Sequence, residues 1–287
     1  MTSSAAADAA SPAYEWFPAR LLQQSPSHPA NPYAVVVLNQ PLSALEPIQH
    51  VWHGAKFRVA ADGGANQLVD ALEASKLDFK DLNAIVGDLD SLLPTTQQYF
   101  ETDVAGRVTE VIHDGNQYST DFTKAVKLVR DRLPGVDVVA LGGLGGRVDQ
   151  GVSQLHHLYL LDQPRPELFS GLYQNKISDD KGSRGRTFLL TSDSLVFLLL
   201  PGHHHIHVRE QLGGEEVFAK HIGILPMQGP SVITTKGLEW DITDWPTEFG
   251  GQFSSSNHIL PETLVVEVQT DRAVVFAMTL KEEWQSK

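Results

Sequence analysis

The sequence has no cysteine, no long apolar run and few cations, and each absence excludes a class of protein. Without cysteine the chain can form no disulfide and use no thiol nucleophile. This composition suits a reducing compartment, so we expect a cytoplasmic protein. The apolar run at residues 195–200 is far shorter than the ~20 residues that a membrane-spanning helix needs. We therefore expect no membrane partner.

Positive charge is scarce throughout the chain. The 22 Lys and Arg residues stand against 35 Asp and Glu residues, which gives a formal net charge of −13. Such a chain repels a polyanion unless a basic stripe compensates, and the sequence shows none. We expect no nucleic-acid partner. A small anionic substrate is compatible with this charge if a metal ion supplies the positive charge.

The pattern along the chain predicts a tail and two domains. Residues 1–30 are expected to form a disordered or extended N-terminal tail, without the features of a signal or transit peptide. In residues 31–186, apolar strands alternate with amphipathic helices, which predicts an α/β domain with a doubly wound, mostly parallel sheet. Its residues 162–186 are interpreted as a loop or linker. Residues 187–287 show only short strands and turns, which predicts an antiparallel sandwich or barrel.

The most informative motif is Gly-Asp-Leu-Asp-Ser at residues 87–91, directly after an apolar strand. Residues two apart in an extended chain point the same way, so Asp88 and Asp90 are expected to face one point beyond the strand. Open α/β sheets bind their ligands there. Paired carboxylates suit Mg²⁺, which usually arrives with substrate phosphates. The alternative is a polar turn in which Asp90 or Ser91 caps a helix.

Two helix starts carry related signals. Asp62, Gly63 and Gly64 come between a strand and a helix, where the glycines would let a phosphate or nucleotide approach the backbone. An ordinary strand-to-helix turn is the alternative there. Asp121 lies in the first turn of the next predicted helix, either as a third Mg²⁺ ligand or only as a favourable N-terminal charge. Lys124, one turn later, is placed to reach a phosphate.

A glycine-rich loop follows the strand at residues 136–141. Four of the five residues 142–146 are glycine, which indicates unusual backbone angles or a close ligand. Arg147 then opens a helix, where its positive charge opposes the helix dipole but its planar fork suits a phosphate. The spacing matches neither the P-loop nor the usual dinucleotide motif.

The ordered set of these four motifs, with residues 192–202, 237–240 and 255–257, resembles the thiamine pyrophosphokinase family over about residues 34–280. The resemblance implies an N-terminal α/β domain and a C-terminal β-sandwich. It implies Mg²⁺-dependent transfer of a pyrophosphoryl group from ATP, the co-substrate, to the hydroxyl of thiamine, which releases AMP. It also implies a homodimer with sites at the subunit interface.

The resemblance assigns roles by motif position. It implies that the catalytic residues are Asp88, Asp90, Asp121 and Arg147, of which the three aspartates would hold Mg²⁺. It implies that the nucleotide and phosphate site is lined by Asp62, Gly63, Gly64, Ser91, Gln117, Thr120, Lys124, Gly145, Gly146 and Asp149. It implies that thiamine stacks on Trp240 and forms hydrogen bonds near Ser256 and Asn257.

The sequence departs from the family in two places. Gln150 follows Asp149, where the family usually has a histidine, and residues 162–186 look longer than usual. Two other functions stay open: an Mg²⁺-dependent nucleotide phosphohydrolase and a non-catalytic thiamine- or nucleotide-binding protein. Trp240 with Ser256 and Asn257 argues against the first, and the intact set of carboxylates argues against the second.

A run of histidines at residues 203–207 invites a metal-binding interpretation. Consecutive residues of a strand point to opposite faces, so only alternate histidines could share a metal ion. A solvated edge strand is the preferred interpretation.

Overall fold

The computed structural model describes residues 13–23, 28–43, 45–75, 79–102, 108–163, 185–210 and 216–285. Its helices are α1 (Ala19–Leu22), α2 (Leu45–Gly54), α3 (Gly64–Ser75), α4 (Pro94–Glu101), α5 (Asp121–Arg132), α6 (Val148–Asp162) and α7 (Glu282–Gln285). Its strands are β1 (Ala13–Trp16), β2 (Tyr33–Val37), β3 (Phe57–Ala61), β4 (Ala84–Gly87), β5 (Glu110–His113), β6 (Asp137–Leu141), β7 (Thr187–Leu190), β8 (Ser194–Leu199), β9 (Gly202–His207), β10 (Phe218–Leu225), β11 (Ser231–Lys236), β12 (Trp245–Thr247), β13 (Ser254–His258), β14 (Val265–Thr270) and β15 (Val274–Leu280).

One ten-stranded sheet runs through both halves of the described chain, in the order β13-β10-β15-β8-β7-β6-β2-β3-β4-β5. The six strands from β7 to β5 are parallel to one another. Strand β7 pairs with β8 in the antiparallel sense, and the remaining pairs are antiparallel. The two halves of the chain are therefore joined by continuous backbone hydrogen bonding across β7.

Helices cover both faces of the parallel half. Alternate residues of β2 point to opposite faces: Val35 and Val37 pack with residues of α2 and α3, whereas Ala34 and Val36 pack with residues of α5 and α6. A strand buried on both sides needs an unbroken apolar run, and β2 has one. The predicted doubly wound α/β domain is confirmed.

A second sheet packs on the antiparallel half. Its strand order is β1-β9-β14-β11-β12. Ile206 and Val268 of this sheet share one buried cluster with Phe197 and Phe276 of the ten-stranded sheet. The C-terminal half is thus a β-sandwich, as expected, but one of its two sheets is the extension of the parallel sheet.

The N-terminal segment differs from the expected tail. Residues 13–22 are packed: β1 pairs with β9 in the parallel sense, and Trp16, Leu21 and Leu22 are buried. The reason is that these apolar side chains reach the core. The Ala- and Ser-rich residues before them lead to the expectation of a disordered or extended tail. Residues 1–12 lie outside the described part of the chain, as do residues 164–184 of the predicted linker.

Strand β9 corrects a second expectation. It lies between β1 and β14 and is therefore an internal strand, not a solvated edge strand. Its alternate residues His204 and Ile206 are fully buried. None of the helices in the described ranges is long and apolar enough to cross a membrane.

Buried His204 is held in one tautomer by its two partners. Trp16 Nε1 donates to His204 Nδ1 at 3.0 Å, so the ring proton is on Nε2, which donates to the Leu200 carbonyl at 2.7 Å. Burial lowers the pKa of His204 from its ordinary value of 6.5 to about 4. The imidazole is therefore neutral in the folded chain at neutral pH.

Because the pKa of His204 is lowered, we expect the protein to lose stability on acidification. Between pH 6.5 and about 4 the unfolded chain binds a proton that native His204 does not, so stability is lost as the pH falls. We expect the free energy of unfolding of the wild type to fall by up to ~3 kcal/mol more than that of His204→Gln over this range. Urea titrations at several pH values measure it, with the exposed change His53→Gln as control. Equal pH dependence in wild type and His204→Gln would exclude His204 as the source.

Candidate metal and phosphate site

Three aspartates meet at the carboxyl ends of neighbouring parallel strands. Asp62 follows β3, Asp88 follows β4, and Asp121 begins α5. One carboxylate oxygen from each lies within 4.8 Å of the others. The position is the edge of the sheet at which open α/β folds bind ligands.

Gly87 makes this convergence possible. A Cβ atom at this position would lie 2.7 Å from Asp62 Cβ and 3.1 Å from Asp121 Oδ1. Since real Cβ atoms do not approach other atoms to 2.7 Å, any side chain here would force the aspartates apart. The glycine of the Gly-Asp-Leu-Asp-Ser motif is thus required by close packing between carboxylates.

Asp62 is the most unusual member of the cluster. Its side chain is buried, its backbone φ is +47°, and Ser91 N donates to its Oδ2 at 3.1 Å. Its other oxygen, Oδ1, is buried and has no hydrogen-bond partner among the described residues. Burial raises the pKa of this carboxyl, and the nearby charges of Asp121 and Asp90 add to the effect. A cation between the three carboxylates would pair Oδ1 and relieve their repulsion. The residues therefore fit a hard divalent cation.

The other two aspartates have partners that fix their orientation. Gln117 Nε2 donates to Asp88 Oδ2 at 3.1 Å, and this bond is the main cause that lowers the pKa of Asp88. Lys124 Nζ donates to Asp121 Oδ1 at 2.9 Å, and the Lys124 side chain is almost fully buried. Lys124 therefore brings a positive charge to the cluster; its predicted contact with a phosphate stays a prediction.

Asp90 is not part of the three-carboxylate group found in the described chain. Strand β4 ends at Gly87, and Leu89 has a left-handed φ of +62°, so the strand alternation does not continue through Asp90. Asp90 Oδ1 accepts instead from Ser91 Oγ at 2.9 Å. Asp62, which the sequence places with the nucleotide contacts, occupies the third position. A metal role for Asp90 stays a prediction.

Thr120 positions Asp121 at the start of α5. Its hydroxyl oxygen accepts from Thr123 N at 3.2 Å, which caps the helix. His157 Nδ1 donates to the Ser153 carbonyl at 2.6 Å, so its Nε2 accepts from the Thr120 hydroxyl at 2.7 Å. Burial lowers the pKa of His157, which favours this neutral form. Sequence reasoning did not find His157, because only the contact between α5 and α6 reveals it.

The glycine-rich loop leaves room beside the sheet. A Cβ at Gly145 would meet no atom of the described residues within 4 Å, whereas Gly146 has a left-handed φ of +69°. Arg147 and Asp149 form an exposed ion pair with each other; its hydrogen bonds lower the pKa of Asp149 and raise that of Arg147. The loop thus offers open space at Gly145 and one cation with a nearby counter-charge.

Gly63 and Gly64 have a packing explanation. A Cβ at Gly64 would lie 2.3 Å from the Val37 carbonyl oxygen, and one at Gly63 would lie 2.4 Å from Asn39 Nδ2. Gly64 therefore lets α3 start directly against the end of β2, whereas Gly63 leaves room for the Asn39 side chain in the loop after β2. A contact to phosphate stays a prediction for both.

The predicted thiamine residues lie on the sandwich. Trp240 is 55% exposed. Asn257, on β13, is buried; its Oδ1 accepts from Trp240 N at 3.2 Å and its Nδ2 donates to Trp240 O at 2.9 Å. Asn257 thus fixes the Trp240 turn, while Ser256 is exposed. Sequence reasoning missed His258, whose ring centroid lies 5.1 Å from that of Trp240.

The two regions are far apart within one chain. The aspartate cluster follows β3 and β4, whereas Trp240 is bonded to β13, at the opposite end of the ten-stranded sheet. Seven strand-to-strand intervals separate β3 from β13. At about 4.8 Å each, they amount to roughly 30 Å. One chain therefore does not bring Trp240 to its own aspartates.

Two family profiles match the chain, and both describe domains of the same family. A family profile described as "Thiamin pyrophosphokinase, catalytic domain" matches residues 48–170, and one described as "Thiamin pyrophosphokinase, vitamin B1 binding domain" matches residues 203–275. The first contains the aspartate cluster and the second contains Trp240 and Asn257.

Two similar structures show the fold. A yeast structure described as thiamin pyrophosphokinase has a TM-score of 0.73 at 23% identity, and covers 96% of this chain and 93% of its own. Thiamin pyrophosphokinase from Candida albicans has a TM-score of 0.71 at 23% identity and covers 93% of each chain.

Plant relatives are closer in sequence. "Thiamine pyrophosphokinase 1" of Oryza sativa subsp. japonica is 31% identical over 265 residues, which span 87% of this chain and 88% of the rice protein. The Arabidopsis thaliana protein of the same name is 32% identical, over 83% of this chain and 84% of its own length. Together with the two family profiles, these relatives show that the chain belongs to the thiamin pyrophosphokinase family.

Proposed function

We propose that this chain is a thiamine pyrophosphokinase that transfers a pyrophosphoryl group from ATP to the thiamine hydroxyl, releases AMP and acts in the cytoplasm. The observation that carries the proposal is the convergence of Asp62, Asp88 and Asp121 beside Lys124. Family membership supports thiamine and ATP as the two substrates. Magnesium is the proposed metal, because a site built only from carboxylate oxygens suits a hard cation.

The protein residues would bind and align the polyphosphate. Asp62, Asp88 and Asp121 would hold the magnesium ion, which supplies positive charge to the phosphates when bound. Asp90 stays a proposed ligand on the family resemblance alone. Lys124 would exchange part of its contact with Asp121 for a phosphate oxygen, and the Arg147 fork would meet the phosphates from the glycine-rich loop. The remaining proposed nucleotide contacts are Gly63, Gly64, Ser91, Gln117, Thr120, Gly145, Gly146 and Asp149.

The separation of roughly 30 Å along the sheet supports a homodimer. Trp240 of one subunit would stack on thiamine, with Ser256 and Asn257 nearby, against the aspartates of the other subunit. Trp240 is exposed enough to do so, because its backbone, not its ring, is held by Asn257. The site is complete only when two chains contribute.

A nucleotide phosphohydrolase is the second candidate, because the aspartate cluster is complete within one chain whereas Trp240 is not near it. One assay separates the two functions: incubation with ATP and Mg²⁺, with and without thiamine. The transferase forms thiamine diphosphate and AMP in equal amounts, and only when thiamine is present. AMP or ADP formed at the same rate without thiamine would identify a hydrolase.

Metal binding gives the next prediction. We expect Asp88→Asn and Asp90→Asn each to raise the Mg²⁺ concentration for half-maximal activity at least about tenfold, because each proposed ligand loses its charge. Folding should persist, since removing one of several like charges relieves repulsion. Mg²⁺ titrations of activity measure this, with Asp114→Asn as control. Near wild-type behaviour of Asp90→Asn would leave Asp62, Asp88 and Asp121 as the ligand set.

Gly145 tests the proposed phosphate approach. Gly145→Val adds a side chain whose Cβ meets no atom within 4 Å in the part of the chain that the structure describes, so the fold should not change. We expect the KM for ATP to rise about tenfold or more and the KM for thiamine to stay near its wild-type value, because the added methyls occupy the space of the ligand. The control is Gly151→Val, where a Cβ also meets no atom of the described ranges within 4 Å. Unchanged KM for ATP in Gly145→Val would contradict a phosphate contact at this loop.

Trp240 tests both stacking and the dimer. Trp240→Ala should weaken thiamine binding about 5- to 150-fold, which corresponds to roughly 1–3 kcal/mol of stacking, with ATP binding little changed. The control is Trp245→Ala. At Mg²⁺ and thiamine concentrations too low for either variant alone to be active, a mixture of Asp88→Asn and Trp240→Ala chains should regain activity, because a mixed dimer holds one site without either change. No recovery after demonstrated subunit exchange would mean that the site is not shared between two chains.

A further inference from the structure

A second group of metal-binding side chains lies on the outer face of the five-stranded sheet. Strand β9 alternates: His204 and Ile206 point into the core, so His203, His205 and His207 share the outer face. These three histidines are partly exposed. They are remote in the fold from the aspartate cluster, which belongs to the other sheet.

Strand register adds carboxylates to this face. His205 lies directly opposite Glu15 on β1 and directly opposite Glu267 on β14. Glu267 in turn lies opposite Lys236 on β11. Residues that face each other across neighbouring strands point to the same side of a sheet. The row therefore places Glu15, His205 and Glu267 side by side over three strands.

Three of these side chains converge as metal ligands do. One ligand atom from each of His203, His205 and Glu267 lies within 4.8 Å of the others. His203 Nε2 is 3.4 Å from Glu267 Oε2, and the rings of His203 and His205 are 4.7 Å apart. Two imidazoles and one carboxylate, with water in the fourth position, form a ligand set that zinc uses in proteins.

Neighbouring groups orient these ligands. Glu15 Oε1 is 2.7 Å from His205 Nδ1, which leaves Nε2 of the same ring for a metal ion. A histidine ligand that donates its other nitrogen to a carboxylate is the usual arrangement at zinc. Lys236 Nζ donates to Glu267 Oε1 at 2.8 Å, so Oε2 is the oxygen turned towards His203.

We propose that His203, His205 and Glu267 bind one divalent transition-metal ion of the zinc class, with Glu15 as the outer partner of His205. The mixed nitrogen and oxygen donors distinguish this site from the all-carboxylate cluster, which suits magnesium. The ion would join β9 to β14 and, through Glu15, would hold β1 against the sheet. Its expected effect is on stability and attachment of the N-terminal strand.

Cobalt(II) is the probe that tests this site, because it replaces zinc and has visible absorption bands that are strong only at low coordination number. Untagged full-length protein is titrated with Co²⁺ in excess Mg²⁺, which fills the carboxylate cluster. We expect one equivalent to bind with strong visible bands and to be displaced by Zn²⁺. His203→Gln and Glu267→Gln should weaken binding at least about tenfold, and Glu15→Gln about 10- to 100-fold.

Two controls make the outcome decisive. His53→Gln removes an exposed histidine elsewhere, and Asp88→Asn alters the other cluster; both should keep the cobalt spectrum. Circular dichroism of each variant checks the fold, and the Gln side chains preserve size on a partly exposed face. The proposal is overturned if the wild type shows no such spectrum, or if His203→Gln and Glu267→Gln bind cobalt as the wild type does.

Discussion

The pairing of β7 joins the parallel and antiparallel halves of the ten-stranded sheet. On one side β7 hydrogen-bonds to the parallel strand β6, and on the other to the antiparallel strand β8. Because backbone hydrogen bonds hold neighbouring strands at a fixed spacing, the ten-stranded sheet sets the distance between its two ends. The aspartate cluster lies near one end and Trp240 near the other. The sheet that supports both regions also keeps them apart within one chain.

Electrostatics at the aspartate cluster explains the local sequence. Burial disfavours the charged form of Asp62, and Asp121 and Asp90 disfavour it further. Lys124 offsets part of this repulsion through Asp121, but the buried Oδ1 of Asp62 keeps no partner among the described groups. Stability alone does not favour such an arrangement. The arrangement fits a cation, which would pair Oδ1 of Asp62 and offset the repulsion between the carboxylates.

The sequence predicts local features well and long-range ones less well. Strand β2 and helix α5 follow from unbroken apolar residues and from helical spacing, which depend on neighbours alone. The order of the motifs along the chain carries the family resemblance. In contrast, the displacement of Asp90 from the cluster depends on the left-handed turn at Leu89, and the position of Asp62 beside Asp88 depends on the pairing of β3 with β4. The burial of Trp16 and the internal place of β9 depend on pairing between segments distant in sequence, which no local pattern encodes.

The pairing of β1 with β9 has a consequence for synthesis on the ribosome. Glu15 and His205 are neighbours in space but 190 residues apart in the chain. At about 5–20 residues per second, translation separates their emergence by roughly 10–40 s. During that interval Trp16 lacks Phe197 and His204, which it contacts in the folded chain, and its indole ring is open to chaperones. Strand β1 is thus synthesised long before β9, the strand with which it pairs.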